Sequence, residues 1–196
     1  MFQRIRILTL AAGLLTCGLP ALAQTWGLGA ALGTVNDVSH RFAFEEFRSR
    51  NLSLWGEFAL EDRVQLRATW GSLNTTGANS GRIVTDGAGV NFLAPELHTR
   101  IDYGTIGVSY EFWEGDFTSG LFAGIGGYRI HPGVAPAGFE PFADPKETVL
   151  GGHAGIDGSL KVWRQLSVVG RFTVHAFKSG ASRAILTADG GVMYRF

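Results

Sequence analysis

Residues 165–177 read QLSVVGRFTVHAF, and they alternate. Leu166, Val168, Gly170, Phe172, Val174 and Ala176 fall on one side of an extended chain and Gln165, Ser167, Arg171, Thr173 and His175 on the other, with Val169 the one exception. Successive strand side chains point to opposite faces, so the segment reads as a strand with one apolar and one polar side. The same period recurs in RVQLRATW (63–70), where Val64, Leu66, Ala68 and Trp70 oppose Gln65, Arg67 and Thr69. Similar segments at 25–33, 51–60, 101–112, 117–130, 148–162 and 184–196 bring the expected number of strands to eight. Beyond the first 23 residues, no run places apolar residues at i, i+3, i+4 and i+7 convincingly enough for a helix.

The connections alternate in length. Long links are expected over 34–50, 73–100 and 131–147, with a shorter one around 178–182, whereas EDR (61–63), EG (114–115) and WRQ (163–165) make tight turns. Long links on one side and tight turns on the other are the mark of a membrane barrel, whose tilted strands need about 9 to 11 residues each.

Period two alone does not say which face meets water, because a soluble lipocalin-type barrel has the same alternation with its apolar face inward. The face opposite the apolar one holds glycines (27, 29, 33, 107, 120, 124, 126, 151, 155 and 191) together with Glu57, Arg67, Glu111, Asp157, Lys161, Arg171 and Asp189. Such residues do not make a dry ligand pocket; they suit a narrow polar lumen. Aromatics near strand ends, namely Trp26, Trp70, Phe112, Phe117, Tyr128, Tyr194 and Phe196, fit interfacial girdles.

The chain begins with Arg4 and Arg6, an apolar run over 7–15 and the small-x-small step Ala21-Leu22-Ala23, the pattern of a secretory signal. Residues 1–23 are therefore assigned to a signal peptide and 24–196 to one barrel domain. Leu14-Leu15-Thr16 before Cys17 lacks the small residue that lipoprotein processing favours. Without Arg4 and Arg6, 15 basic residues face 17 acidic ones, which leaves no basic field for nucleic acid. The single cysteine lies inside the signal, so neither disulfides nor thiol chemistry are expected afterwards. Charge at 17% is below the roughly 25% of an ordinary soluble domain.

The segment GGHAGIDGSLKVWRQLSVVGRFTVHAF (151–177), with the closing LTADGGVMYRF (186–196), resembles the last half of the outer membrane β-barrel domain family, the small OmpA-like and opacity-type barrels of bacteria. The resemblance implies an all-β, eight-stranded antiparallel up-and-down transmembrane barrel in the outer membrane. It also implies contact with outer-membrane lipid and lipopolysaccharide, and an assembly signal at Val192, Tyr194 and Phe196 read by the barrel-assembly machinery. An external protein ligand would be met by the outer loops, where VNDVSHRFAFEEF (35–47) and HPGVAPAGFEPFADP (131–145) carry several phenylalanines, either as a binding surface or packed on the rim.

Turn centres convert the sequence into register, because opposed residues of an antiparallel pair share a face. A turn centred on Asp62 sets Glu57 opposite Arg67; one centred on Arg164 sets Asp157 opposite Arg171 and His153 opposite His175; a loop centred on Gly180 adds Asp189 beside Arg171. These charges are expected to plug the lumen. The facing histidines supply two ligands without a third, so they read as hydrogen-bonding lumen residues, and no metal or cofactor is expected.

Outer-membrane lipid A deacylases are barrels of similar size, but their histidine and serine lie two apart on one strand and face lipid. Here Ser179 follows His175 by four residues, with His175 on the polar face, so esterase chemistry is not expected. GLGAALG (27–33) misses the dinucleotide fingerprint and precedes no helix. The expected function is non-enzymatic: envelope structure or surface contacts made by the loops. A lipid-modifying enzyme and a soluble ligand-binding barrel are the alternatives.

Overall fold

The computed structural model describes residues 26–38, 49–76, 83–85, 88–95, 97–113, 115–179 and 181–196. Residues 1–23, assigned to the signal, and Phe42, Phe44 and Phe47 of the first long link lie outside them. The strands are β1 (Trp26–Asp37), β2 (Ser49–Ala59), β3 (Val64–Thr76), β4 (Ile83–Thr85), β5 (Asn91–Leu93), β6 (His98–Trp113), β7 (Phe117–Pro132), β8 (Thr148–Trp163), β9 (Leu166–Ser179) and β10 (Ala181–Arg195). Eight of them close a barrel in the order β1-β10-β9-β8-β7-β6-β3-β2, and β4 pairs with β5 in a separate hairpin. Every neighbouring pair is antiparallel, and β1 closes the ring by pairing with both β2 and β10. Closure leaves no edge strand in the barrel.

The turns at 61–63, 114–115 and 163–165 and the two barrel termini share one end, whereas at the other end β9 and β10 stay paired up to Ser179 and Ala181, so the link expected around 178–182 is largely taken up by the strands. The link between β3 and β6, expected as a plain loop over 73–100, instead holds the β4–β5 hairpin, and β3 itself runs on to Thr76. The alternation sorts the side chains as the period requires. Leu28, Ile106, Leu121, Ile125, Leu150 and Phe172 point outward and are each more than half exposed. A contiguous belt of such residues around a whole barrel has no aqueous explanation and fits the hydrocarbon of a bilayer.

Eight strands enclose only enough width for side chains to fill. A large residue on one strand therefore needs its neighbour to be small. A Cβ on Gly29 would lie 2.2 Å from the ring of Trp55, and one on Gly33 would lie 2.2 Å from the Asp189 carboxylate. Gly29 and Gly33 thus make room for inward side chains, whereas Gly107 and Gly126 let the neighbouring backbone approach, with a carbonyl oxygen 1.9 and 2.0 Å from where a Cβ would stand. Gly29→Val should cost about 1 to 3 kcal/mol by overpacking and diminish the compact, heat-modifiable band on an unboiled gel. Gly170→Val, at an outward position where a Cβ meets nothing within 4 Å, should keep that band.

Candidate functional site

The lumen is filled in layers. Nearest the tight turns, Gln65 Nε2 donates to Glu111 Oε1 (2.7 Å), Ser109 Oγ donates to Gln65 Oε1 (3.2 Å), and Arg195 reaches across from β10 to the same Glu111 carboxylate. The next layer contains two arginines. Arg67 Nη2 donates to Glu57 Oε1 at 2.5 Å and, across the lumen, to Asp157 Oδ2 at 2.6 Å, while its guanidinium lies 4.5 Å from the centre of the Phe122 ring. Arg171 Nη2 donates to Ser53 Oγ (2.6 Å) and lies 3.4 Å from Asp189 Oδ2, with its guanidinium 4.1 Å over Trp55. Asn51 Nδ2 completes Asp189 from the far side of β1 (2.7 Å), passing over Gly33. A buried charge is tolerable only when paired, and here each arginine has both a carboxylate and an aromatic face.

In the ladder, Glu57 stands opposite Arg67, Asp157 opposite Arg171, Asp189 on the other flank of Arg171, and His153 opposite His175. Adjacency did not decide every partner. Asp157 reaches over to Arg67 and not to Arg171, because the narrow bore brings β3 and β8 within a hydrogen bond of each other. Lys161, expected inside, stands at the exposed end of β8 and makes no ion pair among the described residues. Val169 points inward and packs with Ala31, Trp55 and Met193, so the exception in the alternation is an apolar wedge under the arginine layer.

The two histidines lie above that layer, with ring centroids 5.7 Å apart. Thr105 Oγ1 is 3.3 Å from His153 Nδ1, and the Tyr128 hydroxyl is 3.2 Å from His175 Nδ1. No group of three metal-ligating side chains occurs among the described residues. Toward the long loops the lumen becomes apolar. Val35, Leu73, Ile101, Tyr103, Tyr128, Ile130, Phe177 and Ile185 form one buried cluster, in which Tyr128 stacks between Tyr103 and Phe177. Tyr128 is therefore an interior residue, not a girdle residue, and the lumen is not polar throughout. The outward residues at the same heights are Ser72, Arg100, Asp102, Arg129, His131 and Lys178: beyond the membrane the two faces exchange character.

A clasp closes this end. Arg183, 2% exposed, pairs with Asp37 of β1 and donates through Nη1 to Asp144 Oδ2 (2.9 Å), which also accepts from Thr99 Oγ1 (2.6 Å). Asp144 belongs to the link between β7 and β8, so the clasp ties that link down over the lumen. Above it, Phe92 of β5 meets Phe139 and Phe142 edge-on at 5.4 and 5.3 Å, so these phenylalanines pack on one another. Arg183, Arg195, Asp37 and Asp144 were not singled out from sequence. The parity of Arg183 and Arg195 could have found them, whereas Asp144 carries no local signal. Val192 and Tyr194 face outward; Tyr194 meets Phe196 edge-on at 4.9 Å, and the Phe196 N–H donates to the carbonyl of Trp26.

No protein-family model and no curated relative matches the sequence. Solved structures do match. A major outer membrane protein from Thermus thermophilus superposes with a TM-score of 0.61 at 14% identity, over 89% of this chain and 100% of that one. Neisserial surface protein A gives 0.56 at 12% identity, over 91% and 100%. Ail of Yersinia pestis, solved in complex with the heparin analogue sucrose octasulfate, gives 0.51 at 9% identity, over 88% and 97%. At such identities the likeness carries the fold, and the apolar outer belt carries the placement: the protein is a small eight-stranded β-barrel of the bacterial outer-membrane type.

Proposed function

We propose that the protein is a sealed, non-enzymatic barrel that acts through its outer loops, in envelope structure or in contacts with an external ligand, and that the lumen charges are a plug. The observation that carries this reading is the stacked closure of the bore: an arginine layer, a histidine and tyrosine layer, and an apolar layer under the Arg183 clasp. The Ail complex with a heparin analogue supplies a precedent for a ligand on this architecture. Catalysis by a deacylase-type pair is disfavoured by the placement of both candidates inside. Ser179 Oγ donates to Glu147 (2.6 Å), and His175 is held by Tyr128.

Purified barrel in a planar lipid bilayer should show no stable conductance steps, and long-lived single-channel openings would contradict the plug. Glu57, Arg67 and Asp157 form its centre, and Glu57 and Arg67 are each under 10% exposed. Arg67→Ala should destabilise the barrel by about 3 to 5 kcal/mol, reduced by whatever water enters. Combining Arg67→Ala with Asp157→Asn should recover part of that loss in urea unfolding, whereas strictly additive effects would remove the coupling. The outward row Val192, Tyr194 and Phe196 is assigned to recognition by the barrel-assembly machinery. Phe196→Asp should lower surface-exposed, heat-modifiable protein in cells while synthesis stays unchanged.

A further inference from the structure

The outer wall of the barrel is uneven where apolar residues give way to polar ones. On β6 and β7, Arg100 stands opposite His131 and Asp102 opposite Arg129. Arg100 Nε donates to Ser72 Oγ (3.1 Å) and to Asp102 Oδ1 (2.9 Å), and His131 Nε2 lies 3.4 Å from Asp102 Oδ2. One carboxylate thus holds an arginine and a histidine side by side. Arg129 is exposed, and its side chain makes no ion pair or hydrogen bond among the described residues. His98 lies one outward position further along β6, and a recess runs between it, Arg100, His131, Pro132 and Asn74.

Immediately toward the membrane, Gly104 stands opposite Gly127. A Cβ on either would meet nothing within 4 Å, and neither has a positive φ. Neither packing nor backbone geometry requires glycine there, unlike the inward glycines, and glycine weakens a strand. Below them Ala123 pairs with Ala154, and Ile125 with Gly152. An outward apolar groove with a floor of small residues lies there between Ile106, Ile125 and Val174, and the Ile106–Ile125 pair separates it from the bare Gly104–Gly127 pair, which is flanked by Trp70 and Leu150. The other bare outward pair, Gly170 opposite Gly190, lies on β9 and β10 away from that row.

We propose that this face of β6 to β8 binds one lipid of the loop-side leaflet that carries a phosphate headgroup. Arg100, Arg129 and His131 receive the phosphate, and an acyl chain lies over Gly104 and Gly127. The assignment rests on the apolar belt lying in a membrane but is independent of the lumen plug. Arginine suits phosphate because its planar fork of donors matches the oxygens.

The test uses the full barrel in nonionic detergent, with folding verified by heat-modifiable migration, and native mass spectrometry with phosphatidic acid and phosphatidylcholine at equal concentration. Phosphatidic acid should be retained roughly tenfold over phosphatidylcholine, as expected for two surface arginines partly opposed by Asp102. Arg100→Ala with Arg129→Ala should bring the ratio close to one. Gly127→Leu should reduce retention severalfold, whereas Gly170→Leu should leave it unchanged. Equal retention of the two lipids by folded protein, or an undiminished preference in the double arginine variant, would overturn the proposal. Arginine-dependent binding of inorganic phosphate with no effect of Gly127→Leu would assign the site to free phosphate and overturn the lipid. Failure of the membrane placement itself would show separately, as identical migration of boiled and unboiled samples.

Discussion

Closing eight strands into a ring fixes the bore at about the width of two side chains meeting, and the rest of the molecule adjusts to that width. Nothing inside can be large without something small beside it, so Trp55 requires Gly29, and the Asn51–Asp189 bridge requires Gly33. Nothing inside can be charged without a partner, and the narrow bore allows partners from strands that are not neighbours. Arg67 on β3 meets Asp157 on β8, Arg171 on β9 meets Ser53 on β2, and Arg195 on β10 meets Glu111 on β6. These links brace the ring across its diameter, where backbone ladders run only around it.

The exchange of faces toward the long loops follows from the change of solvent. Within the bilayer the outside must be apolar, and the inside can be polar because pairing offsets the loss of water. Beyond it the outside meets water, and the strands revert to the pattern of a soluble barrel, with Leu73, Ile101, Ile130 and Ile185 inside and Arg100, Arg129 and Lys178 outside. This extension gives the loops a rigid base. Arg183 ties the link between β7 and β8 to it, and Phe92 ties the β4–β5 hairpin to Phe139 and Phe142. The Gly104–Gly127 pair lies just below the exchange, where outward charge and outward bare backbone are one row apart.

The barrel was legible because period two persists through all eight strands and the turns EDR and WRQ are too short to allow a slip in register. That is why Glu57 and Arg67, or His153 and His175, could be set opposite each other from the chain alone. Cross-lumen partners were not legible: the choice of Arg67 over Arg171 by Asp157 depends on bore width, which no local pattern encodes. Counting glycines and charges on the inner face also hid the apolar layer, and with it the extension of β3 to Thr76. The loss of phase at 72–76, 98–102 and 128–131 was the available signal. Asp144 and the β4–β5 hairpin sit in links whose structure comes from contacts with other links, so their sequences alone carry little.

The central claim is that one face of each strand meets lipid while the other is sealed from both lipid and water. Spin labels placed singly at positions 167 to 177 of β9 in a reconstituted barrel test it most directly. Labels at 168, 172 and 174 should be accessible to oxygen dissolved in the bilayer, and those at 171, 173 and 175 inaccessible to oxygen and to a water-soluble nickel chelate alike. Access of the nickel chelate to the odd positions would mean an open aqueous bore, and loss of the two-residue period would mean that the strand does not lie in the wall of a membrane barrel.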